Sequence, residues 1–89
     1  MSEYVAPLKD IRFVMQELAD LEQVIALPGC EEASPDVVDA ILEEAARFSS
    51  EVLSPLNIVG DRNGAKWLDK KVVTPPGFKE AYSQFVDNG

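Results

Sequence analysis

Ile11, Val14, Met15, Leu18, Leu21 and Ile25 recur every three or four positions after an extended Tyr4-Val5-Ala6-Pro7 lead-in. That is the spacing of a helix with one apolar face. Asp10 stands where an N-cap is needed and Pro28-Gly29 ends the pattern, so a first helix is expected near residues 10–27. Pattern alone leaves open whether Leu21 to Leu27 continues that helix or forms a second short one.

The second helix is the clearest element. Ser34 is a good N-cap, Pro35 occupies the first helical position where its missing N–H costs nothing, and Asp36 favours the positive end of the helix dipole. Val38, Ile41, Ala45, Phe48, Val52, Leu56 and Val59 follow as one apolar stripe, opposite Asp39, Glu43, Arg47 and Ser50. Glu43 and Arg47 have the i,i+4 spacing of a surface ion pair. Pro55 removes a donor and its ring clashes with the preceding turn, so a kink is expected near Leu53, with the helix running on to about Val59.

Gly60-Asp61-Arg62-Asn63-Gly64 reads as a connecting turn, and Trp67 to Val73 as a loop or short extended stretch. Thr74-Pro75-Pro76-Gly77 then opens a third helix with Phe78, Ala81, Tyr82, Phe85 and Val86 on one face and Asn88-Gly89 at its end. The expected fold class is all-α: about three helices, near 10–27, 35–59 and 76–88, with a loop or short extended stretch at 60–74. The 89 residues make one segment, because 30 residues beyond Gly60 would hold too little core to fold alone.

Charge sharpens this picture. The chain has 16 acids, 8 bases and no histidine, a net charge of −8. Residues 1–59 carry 12 acids and 3 bases, whereas residues 60–89 carry 4 acids and 5 bases. A chain this acidic repels a nucleic-acid backbone and an anionic membrane surface, so neither is expected as a partner. No uncharged run approaches the ~20 residues of a bilayer span. Met1 to Val14 carries Glu3, Lys9, Asp10 and Arg12 and does not resemble a signal peptide. With one cysteine, Cys30, no internal disulfide is possible, and a reduced, cytoplasmic setting is expected.

The residues offer little chemistry. Carboxylates on the second helix lie at the spacing of a solvated face, without the apolar surroundings that raise a pKa. Asp61-Arg62-Asn63-Gly64 has the look of a calcium loop, but a loop starting at Asp61 would need glycine sixth and glutamate twelfth, where this chain has Lys66 and Val72. Without histidine no Ser-His-Asp or Cys-His arrangement exists, and Glu31-Glu32 beside Cys30 disfavour a thiolate. No glycine-rich phosphate cradle is present. Lys66, Trp67, Lys70 and Lys71 form a basic-aromatic cluster suited to a phosphate, a nucleotide or an acidic surface; the blander expectation has Trp67 covering the helices and the lysines solvated. No catalytic, cofactor-binding or metal-binding residue is assigned.

Three stretches nevertheless carry a family resemblance. They are Tyr4-Val5-Ala6-Pro7-Leu8-Lys9-Asp10-Ile11-Arg12-Phe13-Val14, then Pro55-Leu56-Asn57 with Gly60-Asp61-Arg62-Asn63-Gly64-Ala65, and Val72-Val73-Thr74-Pro75-Pro76-Gly77-Phe78-Lys79-Glu80-Ala81-Tyr82. In order and spacing they resemble the N-terminal part of a bacterial branch of the acyl-CoA dehydrogenases, the methylthiopropanoyl-CoA dehydrogenase-like group. The pattern departs at Leu68-Asp69-Lys70-Lys71, where a glycine-containing turn is expected.

The resemblance implies an N-terminal extension over 1–34 and the start of an N-terminal α-domain over 35–89, followed in the whole enzyme by a central β domain and a C-terminal helical bundle. It implies a reaction in which a glutamate takes the α-proton of an acyl-CoA and FAD accepts a hydride from the β-carbon. The regions that supply that glutamate and hold the flavin have no counterpart here: Glu43, Glu44 and Glu80 lie outside any segment matching the catalytic motif. The chain is therefore expected to be the inactive first part of a longer enzyme, with the remainder of that enzyme covering Phe78, Tyr82 and Phe85. Two other classes compete. One is a stand-alone acidic helical module that self-associates through its apolar faces. The other is an acyl-carrier-like protein, for which Ser34 lies at the right place in a helix start, though between Ala33 and Pro35 rather than in an Asp-Ser-Leu context.

Overall fold

The computed structural model describes residues 4–89. They fall into two compact units, Val5–Arg47 and Tyr4 with Phe48–Gly89.

In the first unit, α1 (Leu8–Phe13) leads into a π-helical turn, Val14–Leu18, and α2 (Leu21–Ile25) follows. The helix begins at Leu8 rather than at Asp10, because the fixed φ of Pro7 admits the chain and its carbonyl accepts the Ile11 N–H at 3.0 Å. The single helix expected over 10–27 is split. Ala19 N–H donates to the Val14 carbonyl at 2.8 Å, closing a π turn, and Asp20 then takes φ 52°, a left-handed conformation that short polar side chains tolerate. The question left open at Leu21 is thus resolved as a second short helix. After α2 the chain turns through Gly29 (φ 89°), whose N–H donates to Glu31 Oε1 at 3.1 Å. Bonds from the backbone N–H groups of Glu31 and Gly29 hold this carboxyl below the usual carboxylate range. Its folded-state pKa is depressed, so its support of the turn is full above the ordinary range and is lost as pH falls through the lowered value.

α3 (Pro35–Phe48) starts as expected, with Ser34 Oγ accepting the Val37 N–H at 3.3 Å. Its inward line differs from the expected stripe. Val38 is half-buried, but Ile41 is 61% exposed and Ala45 is exposed, while Leu42 and Ala46 are half-buried in their place. An interaction between residues distant in sequence explains the shift: Arg12 of α1 donates to Asp39 Oδ1 at 2.5 Å and Glu43 Oε1 at 2.6 Å. Anchoring the 39–43 flank to α1 brings the adjacent 38–42–46 line inward. Glu43 therefore goes to Arg12, and Arg47 pairs with Glu44, where the spacing had matched Glu43 to Arg47.

The second unit opens with Phe48 and a π-helical turn, Ser49–Leu53, before α4 (Ser54–Asn63). The irregularity expected near Leu53, with helix continuing beyond it, takes the form of this π turn. Ser54 N–H reaches back five residues to the Ser49 carbonyl, and this wider turn relieves the ladder just where the Pro55 ring would otherwise press on it. Pro55 then occupies the first turn of α4, a position it tolerates. The helix also outruns its expected end at Val59: Gly60, Asp61, Arg62 and Asn63 are helical rather than a turn, and Gly64, at φ 65°, closes it. Asn63 Nδ2 donates to the Val59 carbonyl at 2.9 Å.

Residues 66–73 correct the all-α expectation in part: the chain is mostly helical, and the loop or short extended stretch expected at 60–74 contains a small two-stranded sheet. β1 (Lys66–Leu68) and β2 (Lys71–Val73) pair antiparallel, with Lys66 opposite Val73, Trp67 opposite Val72 and Leu68 opposite Lys71. The two-residue turn holds Asp69 at φ 48° and Lys70 at φ 62°. A tight hairpin turn of this sense normally recruits glycine, so the departure noted in the sequence is accommodated by strain rather than by loss of the hairpin. Lys70→Gly creates an Asp-Gly turn and is expected to stabilise this unit by about 0.5–1 kcal/mol, read as a higher urea midpoint followed by Trp67 fluorescence.

α5 (Phe78–Asp87) is the expected third helix, starting two residues later than anticipated behind Gly77 at φ 89°. Asn88 and Gly89 close it, donating to the Gln84 and Val86 carbonyls at 3.0 and 3.1 Å. Among the described residues only Pro75 and Ala81 are buried. Two separate compact bodies sharing this mass would expose about 6,200 Å². The chain exposes 7,260 Å².

Candidate functional surface

The best-formed concavity lies within the second unit, a groove of about 400 Å³ lined by Phe48, Leu53, Leu56, Asn57, Phe78 and Ala81 with Tyr82 and Phe85. Its construction follows from helical spacing. Phe78, Ala81, Tyr82 and Phe85 stand at i, i+3, i+4 and i+7 on α5, so they share one face. Ala81, 7% exposed, forms the floor, while Phe85 leans on Phe48 with ring centroids 6.1 Å apart and planes tilted by 51°, a favourable offset for two aromatic quadrupoles.

Two glycines let the walls close. A Cβ on Gly60 would lie 2.7 Å from Phe78 Cζ, and one on Gly77 would lie 2.7 Å from Leu56 Cδ2. The turn residues and the helix interior thus share one requirement, the absence of a side chain under an apolar neighbour. Even so, the second unit leaves this face largely open: Phe78, Phe85 and Tyr82 are 38%, 55% and 72% exposed.

Chemically the groove is almost wholly apolar. Asn57 and Tyr82 are the only polar side chains in its lining, with no carboxylate, amine or thiol. A flavin dinucleotide requires donors for its ring and its pyrophosphate. The Asn57 amide and the Tyr82 hydroxyl are the only side-chain donors in this lining and no cation faces a pyrophosphate, so this groove does not fit FAD and no catalytic step is drawn through it. The glutamates weighed in the sequence lie elsewhere: Glu43 and Glu44 serve Arg12 and Arg47 on the helical surface of the first unit, and Glu80 is exposed on α5. Hydrogen bonds that Arg12 donates to Glu43 and Asp39 raise its guanidinium pKa further and keep it charged.

Cys30 is half-exposed in the turn after α2, its N–H donating to the Leu27 carbonyl at 3.1 Å. Ser34 is occupied as a helix cap. No group of three or more metal-ligating residues occurs among the described residues, and no described helix is long and apolar enough to cross a membrane.

The basic-aromatic cluster is divided by the hairpin. Alternation puts Trp67 and its partner Val72 on one face and Lys66, Leu68, Lys71 and Val73 on the other. Trp67 is 69% exposed, so it does not cover the helices as expected. Leu53, Asn57 and Gly60 were not read as parts of a surface. Gly60 carried the one available signal, an isolated glycine within an apolar periodic run, which marks a close packing contact.

No family model matches the chain. Over 86 residues, 97% of its length, the chain is 44% identical to a 3-methylmercaptopropionyl-CoA dehydrogenase from Ruegeria pomeroyi. It spans 15% of the length of that relative. The chain is therefore similar, over nearly all of its own length, to an N-terminal segment of a bacterial acyl-CoA dehydrogenase, as its three sequence stretches indicated.

Proposed function

We propose that this chain is the N-terminal helical part of a flavin-dependent acyl-CoA dehydrogenase, serving as structure and carrying none of the chemistry by itself. One observation carries the reading: identity of 44% over almost the whole chain is joined to an apolar aromatic face that nothing within the second unit covers. Residues 1–34 act as an extension and 35–89 begin the α-domain. In the whole enzyme FAD would take the hydride from an acyl-CoA, and the remaining chain would supply both the flavin site and the glutamate base. What residues 48–89 contribute is a surface: Phe78, Tyr82 and Phe85 pack against the remainder of the enzyme and exclude water there. A cytoplasmic setting accords with a reduced Cys30.

The purified 89-residue chain, mixed with FAD, an acyl-CoA and an electron acceptor, is expected to give no turnover and to retain no stoichiometric flavin. Measurable dehydrogenation, or a yellow 1:1 complex after gel filtration, would overturn the assignment of a purely structural role.

A further inference from the structure

We infer that residues 8–25 form a strap that the Arg12 fork holds on α3, and that releasing the fork lets the strap unfold while α3 stays helical. The strap consists of α1, the π turn after it and α2, which are six, five and five residues long. Isolated helices shorter than about 12–15 residues are marginal in water, so turns this short persist only while they rest on something. α3 is more than twice as long as any of them, with 14 residues, the Ser34 cap and its own Arg47–Glu44 pair.

Apolar cover between strap and α3 is thin. No described residue of the Val5–Arg47 unit is buried, and Phe13, Val14 and Leu18 are exposed. A cleft of about 250 Å³ remains, lined by Met15 and Leu21 from the strap and by Val38 and Leu42 from α3; a close-packed junction would leave no such void. Backbone freedom lies where release needs it. Asp20 takes φ 52° between the π turn and α2, and Gly29 takes φ 89° between α2 and α3 with nothing within 4 Å of a Cβ.

Arg12 supplies the fastening that packing does not. Its Nε donates to Asp39 Oδ1 at 2.5 Å and its Nη2 to Glu43 Oε1 at 2.6 Å. Those carboxylates stand one turn apart on α3 and repel each other without a cation between them. A planar guanidinium engages both at once from one edge, which a lysine ammonium does not reproduce. Arg12 is half-buried and both partners are exposed, so dissolved salt reaches and weakens the fork. The strap is thus an order–disorder element governed by one side chain.

Hydrogen exchange of the full 89-residue chain, followed by peptide mass spectrometry, tests this. At low salt, residues 8–25 are expected to be protected, though less than residues 36–47. Arg12→Gln should accelerate exchange over 8–25 about fivefold and over 36–47 by less than about twofold. Lys9→Gln removes a cation from the same helix that is in no ion pair among the described residues, and should change neither segment by more than about twofold. Raising NaCl from about 0.05 to about 0.5 M should accelerate the unsubstituted strap about threefold and leave the Arg12→Gln strap unchanged. Absence of protection over 8–25 at low salt, equal acceleration of 36–47, equal effects of the two substitutions, or a salt response that persists in Arg12→Gln would each overturn the inference. The assay needs neither flavin nor acyl-CoA, so its failure is distinct from failure of the dehydrogenase reading.

Discussion

Gly77→Ala is expected to destabilise the second unit by about 2 kcal/mol, lowering its thermal midpoint by roughly 8–16 °C. Two costs combine at this position. Gly77 opens α5 at φ 89°, where an L side chain is strained, and a Cβ there would meet Leu56 Cδ2 at 2.7 Å. Gly29 separates the two costs, because it has the same φ of 89° with nothing within 4 Å of a Cβ. Gly29→Ala should therefore show only the backbone share, about 1 kcal/mol. The contact share is tested by a double-mutant cycle with Leu56→Ala: if Gly77→Ala costs as much without the Leu56 side chain as with it, the close approach contributes nothing.

Ala81→Asp should have the largest effect, a loss of about 3 kcal/mol. Ala81 is 7% exposed, and the groove around it is lined by Phe48, Leu53, Leu56, Phe78 and Phe85, with Asn57 and Tyr82 as its only polar side chains and no cation to pair a carboxylate. A carboxylate placed there must lose water, take up a proton or push the helix away. Chains of this length have only about 4–13 kcal/mol of total stability, so the substitution removes a large fraction of it. The readout is a fall in urea midpoint together with loss of the near-ultraviolet signal from the Phe48–Phe85 pair. Ala81→Ser, nearly isosteric and able to bond the preceding turn, should cost much less; equal losses from Ser and Asp would show that burial of charge is not the cause.

Much of the secondary structure was legible along the chain. Ser34-Pro35-Asp36 marked the start of α3 and its hydroxyl does cap that helix. Phe78, Ala81, Tyr82 and Phe85 declared the face of α5 by spacing alone. These features are local, involving a residue and neighbours within one or two turns. Misreadings came where two local rules compete. At Pro55 the expected kink is a π turn placed just ahead of it, and the helix runs on past the expected end at Val59. At Asp69-Lys70 turn propensity argued against a hairpin whose strand residues still favoured one. In the Gly60–Asn63 stretch, glycine and asparagine suggested a turn, yet the missing side chain of Gly60 is what admits the Phe78 ring against a continuing helix.

By itself, then, the sequence determined the helical periodicity, the caps, the uneven charge and the kinship with an acyl-CoA dehydrogenase. Each of these depends on residue identity and spacing, which a linear string contains in full. Tertiary structure decided which flank of α3 turns inward, because Arg12 reaches across 27 and 31 residues to Asp39 and Glu43. It decided that Trp67 and the lysines 66 and 71 part company on opposite faces of a hairpin, since register sets which side chains share a face. It also decided that the aromatic face of α5 forms an open groove with Leu53 and Leu56, a contact between distant stretches that no local pattern encodes.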